Sequence, residues 1–216
     1  MIKYILFDLD GTLTDPALGI TNSIMHALEK MGREIPPRES LFCFIGPPLI
    51  PAFISFLKMS EDEAKVALGY YREYFSEFGL FENTPYYGIA EALAALKSRG
   101  YRLAVATSKP EVFAVRIAEK FGFAEYFDYI CGATLDEVRT KKADVIEYAL
   151  GLLGASPDEC IMIGDRHHDI DGACAFGMKS IGVLWGYGSR DELTEAGADA
   201  IAEDVADVAG LVEKMK

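Results

Sequence analysis

The sequence has few of the features that mark secreted, disulfide-bonded or membrane proteins. It contains four cysteines in 216 residues, and no two of them form a Cys-x-x-Cys pair. Because a chain of this length can bury a large apolar core, it needs no disulfides, and we expect these thiols to be buried and reduced. No apolar run approaches the ~18 residues of a membrane-spanning helix. The run Ile5-Leu6-Phe7 is interrupted at once by Asp8, so we expect no signal peptide and a cytoplasmic location.

Basic residues are also scarce. The chain has 21 lysines and arginines against 34 acidic residues, which gives a formal net charge of −13. Binding to a phosphate backbone or an anionic bilayer requires a basic surface, so we expect neither a nucleic acid nor a membrane as partner. Half of the residues are hydrophobic and a quarter are charged, and there are no internal repeats. This composition is typical of a globular domain.

From residue 86 onward, short apolar runs alternate with amphipathic stretches. This alternation predicts an α/β fold with a doubly wound parallel sheet that is covered by helices on both faces. A capping box at Ser108-Lys109-Pro110-Glu111 predicts one helix start, and Ser189-Arg190-Asp191-Glu192 predicts another. The predicted strands, including one near the start of the chain, are 3–7, 102–106, 129–132, 160–163, 180–184 and 198–202.

Residues 16–83 lack a convincing strand. A helix is predicted from about residue 18 to 31, and Ser60 with Glu63 predicts the start of another helix with apolar residues three and four apart. We therefore predict a catalytic α/β core formed by 1–15 and 84–216, interrupted by a small all-helical domain, 16–83. The turn-rich segments at its two edges are candidate hinges, although the insert could also be a rigid decoration.

Polar side chains follow three of the predicted strands. Asp8 and Asp10 follow the first, Thr107 follows the second, and Asp165 follows the fourth. Ligands bind at the carboxyl ends of parallel strands, so these groups should meet at one edge of the sheet. Three carboxylates in one pocket repel each other unless a cation lies among them, and hard oxygen ligands suit Mg²⁺. The sequence thus predicts a magnesium site at Asp8, Asp10 and Asp165.

A phosphorylated substrate would also need donors for its phosphoryl oxygens. Thr107 offers a hydroxyl, and the helix predicted to begin near Pro110 offers backbone N–H groups. Ser108 fits either phosphate binding or helix capping. A lysine would complete the site, and the pair Lys141-Lys142 before a predicted helix supplies one.

Four motifs in this order resemble those of the haloacid dehalogenase superfamily. They are Asp8-Leu9-Asp10-Gly11-Thr12-Leu13, Thr107 after an apolar strand, a lysine before a helix, and Gly164-Asp165-x-x-x-Asp169. The resemblance spans the whole chain and implies a Rossmann-like core. It further implies that Asp8 is a nucleophile that forms an aspartyl-phosphate and that Asp10 is the general acid and base. Mg²⁺ would bind Asp8, the backbone carbonyl of Asp10 and Asp165, with Asp169 beside them or bound through water.

The resemblance also assigns the phosphate ligands. Thr107 and a lysine would hold the phosphoryl oxygens. We favour Lys142 over Lys141 because the sequence Lys142-Ala143-Asp144-Val145-Ile146 looks more like the family's motif, although Ala143 stands where proline is common.

The presence of Asp10 favours phosphate-ester hydrolysis or mutase chemistry within this superfamily. The helical insert looks like the cap of the phosphoglycolate phosphatase-like and β-phosphoglucomutase-like branch. Three further short segments look like the corresponding segments of bacterial phosphoglycolate phosphatases or 5′-nucleotidases, namely 45–49, 84–88 and 187–189. The resemblance implies a Mg²⁺-dependent, phosphoglycolate phosphatase-like enzyme for a small phosphorylated metabolite, acting as a monomer or weak dimer. The alternatives are a 5′-nucleotidase or pyrophosphatase, a phosphomutase, and a non-enzymatic phospho-receiver.

Substrate choice in such an enzyme would come from the cap. Gly46 and Pro47 lie in a stiff Gly-Pro-Pro segment that could face the core, and Arg72 could reach a second anionic group of the substrate. Arg72 also fits an ordinary surface arginine. For Arg139, close to Lys142, an electrostatic role and simple exposure remain equally open.

Overall fold

The computed structural model describes residues 1–215. The chain divides into two compact units. One comprises Met1–Asp15 and the chain from Pro85 onward, and the other comprises Pro16–Thr84. The boundary lies one residue beyond the segment expected from the sequence, so that Thr84 belongs to the helical unit. We describe the units separately as the α/β unit and the helical unit.

A six-stranded parallel sheet forms the centre of the α/β unit, as the alternating pattern predicts. The strands are β1 Tyr4–Phe7, β2 Thr14–Asp15, β3 Thr84–Pro85, β4 Arg102–Pro110, β5 Tyr129–Ala133, β6 Cys160–Gly164, β7 Lys179–Val183 and β8 Ala200–Ala202. The strand order in the larger sheet is β5-β4-β1-β6-β7-β8, and β2 pairs with β3 in a separate two-stranded sheet. In the centre of the larger sheet, Phe7 pairs with Val105 on one side and with Ile163 on the other.

The helical unit contains three α-helices, α1 Ala17–Lys30, α2 Leu49–Leu57 and α3 Glu61–Tyr74. A 3₁₀ segment, Arg38–Phe44, precedes α2, and a π-helical turn, Phe75–Gly79, follows α3. The predicted capping box at the start of α3 is confirmed, because the Ser60 side chain accepts from the Glu63 N–H and the Glu63 carboxylate accepts from the Ser60 N–H. Apolar side chains from α1, the 3₁₀ segment and α2, among them Ile24, Leu28, Phe44 and Phe53, are fully buried.

Helices connect the strands of the α/β unit. They are α4 Ile89–Ser98, α5 Glu111–Lys120, α6 Lys142–Leu153, α7 His167–Cys174, α8 Arg190–Glu195 and α9 Val208–Lys214. The apolar face of α6, including Val145, Ile146 and Ala149, packs with Leu6 of β1 and Met162 of β6 in one buried cluster. None of the helices within residues 1–215 combines the length and the apolar character that crossing a bilayer requires.

Two expectations from the sequence are wrong. The capping box at Ser108 does not form, because β4 continues to Pro110 and α5 begins at Glu111. The Glu111 carboxylate instead accepts a hydrogen bond from the Gly132 N–H, at 3.2 Å, on the neighbouring strand. The thiols are free, but only Cys131 and Cys160 are buried, whereas Cys174 is exposed on a short surface helix.

Candidate active site

Three aspartates meet at the carboxyl ends of β1 and β6. Asp8 directly follows β1, Asp165 directly follows β6, and Asp169 lies in the first turn of α7. One carboxylate oxygen from each lies within 4.8 Å of the other two, and all three side chains are buried. The parallel strand order therefore brings Asp8 and Asp165 together across 157 positions of sequence, as predicted.

Lys142 lies among these aspartates at the start of α6. Its Nζ is 2.8 Å from Asp8 Oδ1 and 2.8 Å from Asp169 Oδ1, and it donates a hydrogen bond to the Ala106 carbonyl at 3.0 Å. Burial alone would lower the pKa of Lys142, but the two carboxylates raise it above its usual value. Lys141 is exposed. Of the two lysines that the sequence left open, Lys142 is therefore the one in the site.

The Asp10 carboxylate lies apart from the other three. Its Oδ2 is 2.6 Å from the Nζ of Lys109, and both side chains are buried. Burial raises the pKa of Asp10 above its ordinary value, and Lys109 opposes this shift. Lys109 is not among the residues predicted to form the site. The signal was present, however, because Thr107 and Lys109 are two residues apart, a spacing that places side chains on one face of a strand.

The site carries an excess of negative charge. Four buried carboxylates, on Asp8, Asp10, Asp165 and Asp169, face two buried ammonium groups, on Lys109 and Lys142, which leaves −2 when all six are ionised. Burial and the neighbouring carboxylates raise the pKa of Asp165 well above its usual range. Burial and Asp8 raise the pKa of Asp169 to about 6, against the opposing effect of Lys142. An ion of charge +2 with a preference for oxygen fits this donor set.

The backbone is packed closely around Asp165. Its Oδ2 accepts a hydrogen bond from the Tyr187 N–H at 2.8 Å, and its Oδ1 lies 3.4 Å from the Thr12 hydroxyl. A Cβ added to Gly11, whose φ is +83°, would lie 2.2 Å from Asp165 Oδ2, and one added to Gly188 would lie 1.9 Å from the Asp165 carbonyl oxygen. The Tyr187 N–H and the Thr12 hydroxyl contact the Asp165 carboxylate, while glycine at 11 and 188 leaves room for Asp165, and no local sequence signal reveals these contacts.

Thr107 and Ser108 lie at the end of β4, the strand that pairs with β1 in the sheet. Thr107 is buried, and its hydroxyl oxygen accepts a hydrogen bond from the Lys109 N–H at 3.3 Å. Ser108 is half-buried. Their assignment as phosphate ligands stays a prediction.

The residues predicted to select the substrate all belong to the helical unit. Gly46, with φ at +104°, and Pro47 lie between the 3₁₀ segment and α2, and Arg72 lies in the last turn of α3. All three are half-buried. Their role in specificity stays a prediction.

The environment of Arg139 supports neither of the two interpretations left open. Its Nε donates to the Gly132 carbonyl at 2.9 Å, and its Nη2 lies 3.2 Å from Glu111 Oε2. Its guanidinium lies over the Tyr148 ring, 3.7 Å from the ring centre. The side chain therefore ties the segment after β5 to α5 and α6, and it is neither a free surface group nor directed to the aspartates.

Comparisons with known proteins agree with this arrangement. Residues 5–183 match the family model described as haloacid dehalogenase-like hydrolase. A 5′-nucleotidase of Pseudomonas aeruginosa is 49% identical over 189 residues, which cover 88% of this chain and 86% of that protein. The tyrosine-protein kinase PtkA of Mycobacterium tuberculosis is 43% identical over 88% of this chain, but the match covers 64% of that protein's length. The crystal structure of a predicted phosphatase from Clostridium acetobutylicum has 45% sequence identity, a TM-score of 0.96, and 99% coverage of both chains.

Buried aspartates at the ends of β1 and β6, with a lysine between two of them, form a charged cluster at the edge of a parallel sheet where such sheets bind ligands. The chain belongs to the haloacid dehalogenase-like hydrolase family, which confirms the resemblance seen in the sequence. The family match and the phosphatase relatives identify it as a phosphatase of this family.

Proposed function

We propose that this protein is a Mg²⁺-dependent phosphoric monoester hydrolase that acts on a small phosphorylated metabolite through a covalent intermediate on Asp8. The observation that carries the proposal is the buried cluster of Asp8, Asp165 and Asp169 around Lys142, with its unbalanced charge of −2. Burial of several carboxylates close together opposes folding, and the binding of a cation relieves their repulsion.

The cation fits the donor set described above. Asp8, Asp165 and the backbone carbonyl of Asp10 would hold Mg²⁺, with Asp169 beside them. When bound, the ion would neutralise charge on the oxygens of the transferring phosphoryl group.

The chain's own residues would carry the proton and the phosphoryl group. A carboxylate oxygen of Asp8 attacks phosphorus, the bond from phosphorus to the ester oxygen breaks, and Asp10 gives its proton to that oxygen as the alcohol leaves. In the second half, Asp10 takes a proton from water as the water oxygen attacks phosphorus. The bond between phosphorus and Asp8 then breaks, and inorganic phosphate and the free carboxylate of Asp8 are regenerated.

Two further groups would bind the phosphoryl oxygens. Lys142 is fixed by Asp8, Asp169 and the Ala106 carbonyl, so its ammonium is placed at the nucleophile without further ordering. Thr107 adds a hydroxyl from the neighbouring strand. Preorganised donors of this kind stabilise charge that develops in the transition state.

The Asp8→Asn variant tests the mechanism. We expect phosphate release from p-nitrophenyl phosphate in Mg²⁺ to fall by about 10⁴-fold or more, because the amide is a poor nucleophile. Asp158→Asn, an exposed acidic residue before β6, is the matched control and should retain full activity. Acid quenching during turnover should trap phosphate on the wild-type protein alone. Steady turnover by Asp8→Asn would contradict the mechanism.

For the substrate class we favour nucleoside 5′-monophosphates, with phosphoglycolate as the alternative. The support is the 49% identity to a 5′-nucleotidase over most of both chains. A panel of nucleoside monophosphates, phosphoglycolate, sugar phosphates and pyrophosphate, compared by kcat/KM, should place a nucleoside monophosphate at least tenfold above the rest. A higher value for phosphoglycolate or pyrophosphate would reject this substrate. Isomer formation from a sugar phosphate without phosphate release would reject hydrolysis in favour of the mutase reaction.

A further inference from the structure

The second buried lysine of the site, Lys109, forms a close ion pair with the Asp10 carboxylate. Its Nζ lies 2.6 Å from Asp10 Oδ2, and the two side chains are 4% and 11% exposed. A lysine ammonium is rarely buried to this extent without a charged partner, since leaving water is unfavourable for it. The position of the Lys109 ammonium and that of the Asp10 carboxylate therefore depend on each other.

The backbone around Lys109 is shaped for this contact. The register between β4 and β5 shifts between Thr107 and Pro110, so the chain bulges where Lys109 lies. The Lys109 N–H is held by the Thr107 hydroxyl oxygen. On β5, a Cβ added to Gly132 would lie 2.5 Å from the Lys109 carbonyl oxygen, so the close approach of the two strands requires glycine at that position. These contacts fix the point from which the lysine side chain extends.

The two lysines contact different aspartates. Lys142 contacts Asp8 and Asp169, whereas Lys109 contacts Asp10. Within residues 1–215, the other oxygen of Asp10, Oδ1, is buried and has no hydrogen-bond partner. One oxygen of Asp10 is thus held by Lys109, and the other is left for a group that the protein itself does not supply.

We infer that Lys109 is a positioning residue for Asp10: it holds Oδ2 so that Oδ1 faces the ester oxygen of the substrate. The inference rests on the proposed function, in which Asp10 protonates the leaving alcohol. Lys109 acts through Asp10 and need not touch the substrate. Its contribution should therefore depend on how strongly the leaving group needs a proton.

Two substrates that differ by one methylene group measure that dependence. p-Nitrophenolate leaves as a stable anion, whereas the alkoxide from p-nitrobenzyl phosphate needs protonation as the bond breaks. The ratio of their kcat/KM values reports on the step up to release of the alcohol or phenol, and so isolates the proton donor from the later hydrolysis of the intermediate.

For Lys109→Met we expect kcat/KM with p-nitrobenzyl phosphate to fall about 100-fold, and with p-nitrophenyl phosphate no more than about threefold. Lys109→Arg keeps the charge and should recover at least about tenfold of the loss with the benzyl ester. Lys120→Met, an exposed lysine at the end of α5, is the matched control and should change neither value. Equal losses with both substrates would overturn the inference, because a structural or phosphate-binding role predicts no selectivity.

Asp10→Asn separates failure of this inference from failure of the proposed function. Asp10→Asn should show the same selective loss as Lys109→Met, and the double variant should lose no more than Asp10→Asn alone, because the two residues act as a unit. If Asp10→Asn is selective and Lys109→Met is not, the inference alone is wrong. If Asp10→Asn is itself unselective, the proton-donor role in the proposed function is wrong. Should Lys109→Met fail to fold, Lys109→Arg carries the test, since displacing the charge should still produce a selective loss, and an equal loss would overturn it.

Discussion

The strands of the six-stranded sheet carry charged residues at both ends, and the two ends differ in how those charges are arranged. At the amino ends, Lys3 before β1 pairs with Glu159 before β6, and Asp128 before β5 pairs with Lys97 and with Arg102. Lys3 and Arg102 are exposed, the other three side chains are half-buried, and each anion has a cation. Pairs of this kind contribute little individually, because water already solvates both partners.

At the carboxyl ends the balance is reversed. Four aspartates and two lysines are buried, the anions outnumber the cations, and neighbouring carboxylates and burial raise the pKa of Asp165. An arrangement that opposes folding and persists is typical of a functional site, since stability alone would favour its removal. The amino ends of the strands thus carry charges that stabilise the fold, and the carboxyl ends carry charges typical of a function. Substitutions at the two ends should therefore have different effects.

Asp165→Asn should give the largest effect. We expect activity to fall by about 10³-fold or more, and we expect Mg²⁺ to stop stabilising the fold. For the wild type, Mg²⁺ at about 100 times its Kd should raise the free energy of unfolding by about 2.7 kcal/mol. Without Mg²⁺ the variant should be at least as stable as the wild type, because a buried charge that repels Asp8 and Asp169 has been removed. Thermal unfolding with Mg²⁺ and with EDTA measures both quantities.

Asp158→Asn, at the other end of β6, supplies the matched control for this prediction. It should retain activity and the full stabilisation by Mg²⁺, because Asp158 is exposed and lies before the strand. An equal response of the two variants to Mg²⁺ would mean that the ion binds elsewhere, and the contrast between the two strand ends would not hold.

Arg139→Ala tests whether every charge at the carboxyl ends is functional. Arg139 ties Gly132 and Glu111 together and packs on Tyr148, so its loss should lower the free energy of unfolding by about 1–2 kcal/mol. We expect kcat/KM for p-nitrophenyl phosphate to stay within about threefold of the wild type, well below the unfolding temperature. Urea unfolding and steady-state kinetics measure the two effects. A large loss of kcat/KM with unchanged stability would assign Arg139 to the substrate site.

The strands, the helical unit and the meeting of Asp8 with Asp165 could be predicted from the sequence. The strands were recognisable because they are apolar on both faces, as in β6, where all five residues are buried. Once a parallel sheet is predicted, Asp8 and Asp165 must converge, since both follow strands at the same edge. The helical unit was recognisable for a similar reason, because apolar residues at spacings of three and four and a capping box at Ser60 are local signals.

The missed features depend on contacts between distant residues. Residues 108–111 have the local pattern of a capping box. This pattern carries no information about Gly132 on β5, whose missing side chain lets β4 continue to Pro110. Asp169, which the resemblance placed beside the metal ligands, does approach the aspartate cluster, and this approach requires glycine at 164, where a Cβ would lie 2.1 Å from the Asp169 Cγ. The ion pair between Lys109 and Asp10 was also missed, because it joins residues of two different strand ends.

Asp128→Asn, at the amino end, should give the smallest effect. Burial would raise the pKa of Asp128, but hydrogen bonds from Arg102 and Lys97 outweigh it, and the pKa is lowered below its ordinary value of 3.8. A lowered folded-state pKa stabilises the fold above the unfolded value and loses that contribution as the pH falls through the folded value. Because the partners are partly exposed, we expect a loss of only about 0.5 kcal/mol at pH 7, reduced further in high salt. The difference from the wild type should shrink as the pH is lowered below 4, and kcat/KM should not change. A difference that grows as the pH falls would contradict the sign, and a loss of activity would show that the amino ends of the strands also contribute to the site.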